Sequence, residues 1–221
     1  MNPLEILVTS DFICPWCWIG HRHLKAALAE VDLPGATFRY LPYELNTTLP
    51  VQGVDRKAYR SAKFGSWARS QAMDAEVTLA GKRAGLTFHY DRVSLTPNTR
   101  LAHRLMHFAQ ARDPGPRSEA LFEAIFSAYF LEGRDIGTAE VLATLAAQAG
   151  FDADKARAYL ATTAGAREVE DAEREAQRAG IRAVPMHRLA GMAVSGAQPA
   201  SVFANVLREL VKADTSPAEA S

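Results

Sequence analysis

Strand-like sequence stands near both ends of this 221-residue chain and is almost absent between them. Residues 4–9, Leu-Glu-Ile-Leu-Val-Thr, are β-rich and read as a buried strand, and Ala36 to Tyr43 reads as a second, carried by Phe38, Tyr40 and Leu41. Towards the other end, Met186–Leu189 and Met192–Val194 read as short strands around a turn at Ala190-Gly191. From about Asp55 to Thr163 the pattern is helical throughout, with candidate helices at Asp55–Phe64, Ser66–Ala84, Asn98–Arg112, Ser118–Leu131, Thr138–Ala149 and Asp152–Thr162. A charged helix follows at Ala166–Ala179, and Ser195 to Pro199 opens a last one running to about Lys212. The order is β-α-β, a helical block, then α-β-β-α. Such a chain is an α/β protein whose two halves have to pair into one sheet around a large all-helical insertion. Residues 1–45 and 164–213 form the discontinuous α/β domain, 46–163 the insertion, and 214–221 a small, polar tail expected to be disordered.

The only two cysteines are set as Cys14-Pro15-Trp16-Cys17, directly after the first strand and at the start of the first helix. A disulfide closing so short a loop removes little chain entropy, so a reversible dithiol switch explains the pair better than a structural staple. Pro15 suits the first helical position, which puts Cys14 at or near the helix N-cap. Unpaired N–H groups and the positive end of the helix dipole favour a thiolate there. Cys17, His21, Leu24, Leu28 and Val31 recur on one helical face, so Cys17 begins the inward stripe while Cys14 lies at the accessible end. Cys14 is the expected attacking thiolate and Cys17 the shielded resolving thiol. Trp16, between them, is expected to be exposed as a contact surface.

Composition sets the outer bounds. The formal net charge is zero and the pI near 7, so no basic field points to nucleic acid or an anionic membrane. No apolar run approaches the ~20 residues of a membrane span. The first residues, Met1-Asn2-Pro3-Leu4-Glu5, do not read as a signal peptide. The expected location is therefore cytoplasmic, where a CxxC is more often catalytic or metal-binding than structural.

Several stretches resemble the FrnE-like branch of the DsbA-like thioredoxin-fold family. They are Asp11-Phe12-Ile13-Cys14-Pro15-Trp16-Cys17-Trp18-Ile19-Gly20, Asn98-Thr99 with Ala102-His103-Arg104-Leu105, Tyr129-Phe130 with Glu132-Gly133 and Asp135-Ile136, Val184-Pro185, and Ala193-Val194-Ser195-Gly196-Ala197-Gln198. The resemblance spans nearly the whole folded chain. It implies a thioredoxin fold split by a helical insertion, and a thiol–disulfide oxidoreductase or isomerase working through a mixed disulfide. It implies that Pro185 is a cis-proline against the two sulfurs, excluding metal and leaving the Val184 backbone free for a substrate strand. It also implies that Ser195, Gly196 and Gln198, before the last helix, stand where related branches seat a glutathione carboxylate. An ordinary helix cap explains Ser195 or Gln198 as well. The chain departs from the family pattern after Pro185, where Met186-His187-Arg188 replaces aromatic or β-branched residues.

Other readings compete. Cys14, Cys17 and His21 offer three zinc-type ligands with His23 near, but a structural zinc takes four and no second CxxC exists. A c-type haem needs His after the second cysteine, where Trp18 stands. His21 reads as a half-buried helix histidine or an aid to the thiolate. His103 reads as a substrate-side residue or as helix packing, and Asp11 as a proton acceptor or a turn former. Two enzyme classes remain. One is the redox enzyme, which needs no organic or metal cofactor and takes a disulfide-containing protein or small thiol, glutathione included. The other is a glutathione-dependent isomerase or transferase resembling 2-hydroxychromene-2-carboxylate isomerase or the kappa-class glutathione transferases. Those carry Ser in place of the first cysteine, so two intact cysteines favour redox chemistry. A non-catalytic peptide-binding module would have no use for the thiolate. Monomer and homodimer are both compatible with the sequence.

Overall fold

The two ends of the chain meet at its first strand. In the computed structural model, which describes residues 4–33 and 35–215, β1 (Glu5–Ser10) pairs in parallel with β2 (Thr37–Pro42) on one side. On its other side β1 pairs antiparallel with β5 (Met186–Leu189), in the register Ile6↔Leu189 and Val8↔His187. β6 (Met192–Ser195) closes the edge against β5, giving the order β2-β1-β5-β6. Ile6 and Val8 are fully buried, as the apolar run demands.

Helix α1 (Pro15–Glu30) crosses from β1 to β2 and buries Cys17, His21, Leu24 and Leu28 along the expected stripe. Helix α9 (Ala200–Thr215) packs beside it. That helix runs into the segment expected to be a disordered tail, and residues 216–221 lie outside the described residues.

The insertion contains β3 (Val54–Asp55), α2 (Arg56–Phe64), α3 (Trp67–Arg83), β4 (Leu95–Thr96), α4 (Arg100–Gln110), α5 (Pro116–Phe130), α6 (Ala139–Gln148) and α7 (Ala153–Leu160), and α8 (Ala166–Arg178) follows it on the way to β5. The insertion is helical except for one correction. β3 and β4 form a two-residue antiparallel ladder that runs too briefly to show an alternating pattern. Side-chain caps fix the helix starts where the sequence places them: Asp55 accepts from the Ala58 N–H and Ser66 from the Arg69 N–H. Within the family-like Ala-His-Arg-Leu string, Arg104 donates to the carbonyls of Tyr159, Thr162 and Ala164, closing the end of α7.

Sheet and insertion share one continuous apolar core. Phe12, in the loop after β1, packs at 5.0 Å from Phe126 of α5, and Trp18 of α1 stacks on Phe126 and Phe130. Arg100 adds a polar clamp, donating to Glu44 beyond β2 at 2.9 Å and to Glu170 of α8 at 2.7 Å. Among the described residues no helix is long and apolar enough to cross a membrane.

Candidate active site

Local backbone chemistry sets the two cysteines. The Cys14 N–H donates to the Asp11 carbonyl at 3.0 Å, turning the chain out of the strand. Cys14 itself is extended (φ −97°, ψ 106°) and is the N-cap of α1, with Pro15 at the first helical position. Both cysteines are free thiols. Cys17 is fully buried, and Cys14, expected at the accessible end, is itself only 7% exposed. The covering comes from the insertion, which roofs the helix start. Trp16 is 40% exposed, at the mouth.

The Val184–Pro185 peptide is cis. Cys14 Sγ lies 3.8 Å from the Val184 carbonyl oxygen, so the segment leading into β5 stands directly against the thiol. A residue that the sequence reading passed over permits this approach. A Cβ on Gly20 of α1 would stand 3.2 Å from Pro185 Cγ, 3.1 Å from His187 Cε1 and 3.3 Å from Ala197 Cα. Glycine therefore lets α1, the proline and the 195–198 loop close on one another.

Cys17 is held as a thiol. Burial is the first cause that pushes it well above the ordinary thiol range, followed by the hydrogen bond with Cys14 and the Cys14 charge. The Asp11 carboxylate acts in the same direction, while a hydrogen bond from the Asp11 backbone opposes it. Cys17 thus keeps its proton beside the Cys14 sulfur.

Beside Cys14 lies a pocket of about 170 Å³ between α1 and the insertion. Tyr129 and Phe130 of α5, Tyr59, Arg60 and Lys63 of α2, and Trp16 and Leu45 help to line it. Arg60 shares Asp74 with the buried Arg56, at 3.0 and 2.7 Å. Arg56 lies over the Tyr90 ring at 4.8 Å. With Lys63, the wall holds three cations against one carboxylate.

The other expected site residues are dispersed. His103 does not line the Cys14 pocket. It is 4% exposed and faces Asp11 and the Phe12 ring on the far side of that loop. The 195–198 loop does adjoin Pro185, but Gly196 (φ +80°) spends its N–H on the Pro185 carbonyl at 2.8 Å, so it is not free for a carboxylate. Gln198 turns its amide onto the Ser195 carbonyl at 3.0 Å, and its own carbonyl meets His23 Nδ1 at 2.8 Å. Both contacts are those of a turn before a helix.

His21 is fully buried rather than half-buried, among Phe38, Tyr40 and Phe122. Burial first, and then the charges of Lys25, His187 and Arg22, hold it well below the ordinary histidine range. It is neutral and brings no positive charge to the thiolate. Among the described residues no group of three or more His, Cys, Asp or Glu side chains is placed to hold a metal. His187, after the departure from the family pattern, is buried edge-on to Phe203.

The sequence model of the DSBA-like thioredoxin domain matches residues 5–208. This chain belongs to that family. Similar solved structures include a probable DsbA oxidoreductase of Streptomyces coelicolor, 31% identical, covering 99% of this chain and 94% of its own, with a TM-score of 0.86. Another is 2-hydroxychromene-2-carboxylate isomerase, 16% identical over 96% of this chain and 99% of that one, at 0.71. A third is the cytosolic disulfide reductase DsbM of Pseudomonas aeruginosa, in a structure with GSH, 22% identical over 95% and 100%, at 0.67. The last two likenesses are of fold alone. Family membership makes this DSBA-like chain an oxidoreductase-type enzyme.

Proposed function

We propose that the protein is a thiol–disulfide oxidoreductase in which Cys14 is the attacking sulfur and Cys17 the resolving one. Cys14 thiolate attacks a substrate disulfide, forming a mixed disulfide and expelling one substrate thiolate. Cys17 then loses its proton and attacks the Cys14 sulfur, expelling the second thiolate. The substrate disulfide is reduced to two thiols and the protein dithiol oxidised to one disulfide, which a low-molecular-weight thiol such as glutathione returns to the dithiol. Run backwards, the same steps oxidise a dithiol substrate; when a different thiolate of the same substrate, rather than Cys17, attacks the mixed disulfide, a new substrate S–S bond forms, the bond to Cys14 breaks, Cys14 leaves as a thiolate and the substrate is isomerised.

The observation that carries this reading is the asymmetry of the pair. Cys14 caps a helix and faces the pocket, whereas Cys17 is fully buried beneath it with its proton held. An isomerase holding glutathione noncovalently has no use for that second thiol. The cationic wall supports oxidised glutathione or another small acidic disulfide as substrate, since Arg60 and Lys63 lie in the pocket with Cys14. The structure of DsbM with GSH supports the same class. The Val184 backbone, at the sulfur, is the edge on which an extended substrate strand docks.

The test is the intact mass of Cys17→Ser after exposure to oxidised glutathione. The expected product carries one glutathionyl group on Cys14, whereas the unaltered protein goes on to an internal disulfide. Absence of the Cys14 adduct overturns the proposal.

A further inference from the structure

Resolution by Cys17 poses a problem of proton transfer, because a fully buried thiol has to lose its proton before it attacks. Solvent does not reach it. The loop that carries the cysteines supplies one carboxylate, Asp11, which is itself 0% exposed. Its Oδ2 accepts the Leu45 N–H at 2.7 Å. Its Oδ1 has no hydrogen-bond partner and stands 3.5 Å from His103 Nε2, which has none either.

Two buried polar atoms left facing each other are costly unless they serve a purpose. The contact is too long for a good hydrogen bond and too short to ignore. His103 in turn lines a second cavity, of about 350 Å³, bounded by β2, α4 and α8, which shares no lining residue with the Cys14 pocket. The histidine therefore stands between a sealed carboxylate and a cavity separate from the one at Cys14.

We infer that Asp11 and His103 form a proton relay that takes the Cys17 proton out to the α4–α8 cavity during resolution, and returns it when Cys17 leaves as a thiolate. This rests on the redox reading above. In the forward direction the Cys17 S–H bond breaks as the Cys17–Cys14 S–S bond forms, and the Cys14–substrate S–S bond breaks. The proton passes to the Asp11 carboxylate and then through His103 to the cavity, while the expelled substrate thiolate takes a proton from bulk water on the pocket side. Separate exits keep the proton path clear of the departing substrate.

The charges around the histidine suit an acceptor of protons. Glu44, beyond β2, interacts electrostatically with His103. Glu168, Asp171 and Glu175 of α8 line the cavity with His107 of α4, and Arg39 of β2 is the cation among them. Asp171 is paired with Arg167 and Arg174, and Glu44 with Arg100, so Glu168 and Glu175 are the carboxylates that favour a proton arriving on His103 and hand it to water.

The test is stopped-flow reaction of the reduced protein with 4,4′-dithiodipyridine, a disulfide that releases one coloured thiopyridone at Cys14 attack and a second at Cys17 resolution. In His103→Gln, which keeps polar atoms but cannot shuttle a proton, the ratio of second-phase to first-phase rate falls by about tenfold or more at neutral pH. Its second-phase rate also climbs with pH across the whole range, as for direct loss to hydroxide, where the unaltered protein levels off. A purely structural role would lower both phases together and leave the pH profile's shape alone. A measurement free of variants accompanies it: in the unaltered protein the second phase carries the larger slowing in heavy water. A second phase in His103→Gln with the unaltered ratio and pH profile overturns the relay, as does an equal heavy-water effect on both phases. Failure of the redox reading looks different, since the unaltered protein would then release a single thiopyridone.

Discussion

Cys14 Sγ lies 3.8 Å from the carbonyl oxygen of Val184, a residue 170 positions further along the chain. The contact puts the end of the chain's second half against the reactive atom contributed by the first. Everything that makes the thiol useful follows from that closure. The thiol stands at a helix start, Cys17 keeps its own proton beside it, and the segment leading into β5 forms the opposite wall.

The first expectation concerns which sulfur reacts. Alkylation of the reduced protein with iodoacetamide at neutral pH, read by peptide mass spectrometry, labels Cys14 first and leaves Cys17 protected. Cys14→Ser then abolishes insulin reduction. Faster labelling of Cys17 would reverse the two roles.

Gly196 tests the loop opposite α1. Its φ of +80° lies in the left-handed region, and a Cβ there would meet only Gln198 Nε2, at 3.8 Å. The cost of Gly196→Val is therefore conformational rather than steric, about 1–2 kcal/mol by urea denaturation. Gly196→Asn, which tolerates that conformation, recovers most of it. Equal losses in the two variants would show that packing, not backbone, governs the position.

Acid sensitivity follows from His187. Burial pulls it down to about 4, whereas the unfolded chain titrates near the ordinary 6.5. Between those values the unfolded state binds the extra proton, so stability is lost as pH falls from about 6.5 to about 4 and the loss then levels off. The shift is worth about 3 kcal/mol over that window. His21 is displaced in the same direction and adds to the slope. In His187→Leu the acid branch of a stability–pH curve becomes shallower by about one proton. An unchanged slope would mean that the imidazole is protonated in the fold.

Charge in the Cys14 pocket is testable with Lys63→Glu. Lys63 sits at the exposed edge, near the Tyr59 hydroxyl at 3.3 Å. Reversing it raises the KM for oxidised glutathione by about fivefold, an effect of about 1 kcal/mol that fades at high salt. A neutral disulfide is expected to show no such change.

Much of the framework was legible in the sequence because it is written locally. The Cys14-Pro15 pair at a strand–helix junction, the inward stripe through Cys17 and Leu24, and the helix starts at Asp55 and Ser66 each need only a few neighbouring residues to read. That the two halves share one sheet followed from strands too few to stand alone at either end, whereas the antiparallel pairing of β1 with β5 is seen only in the structure. What escaped depends on contacts between distant segments. Nothing near His103 tells which side of the Asp11 loop it faces, and only packing across α1, β5 and the 195–198 loop reveals what Gly20 permits. Nor could a sequence decide between the carboxylate seat and the ordinary cap at Ser195–Gln198, since the Pro185 carbonyl that takes the Gly196 N–H is remote from any helix pattern.

The pairing of β1 with β5 also has a consequence for biosynthesis. A ribosome delivers both thiols well before the strand that walls them in, with the whole insertion made between. During translation Cys14 and Cys17 are thus exposed to every oxidant that the nascent chain meets, without the wall that selects among substrates. Contacts so far apart in sequence form slowly. Selectivity arrives with β5, and a chain cut short before it would be a reactive dithiol with no say over its partners.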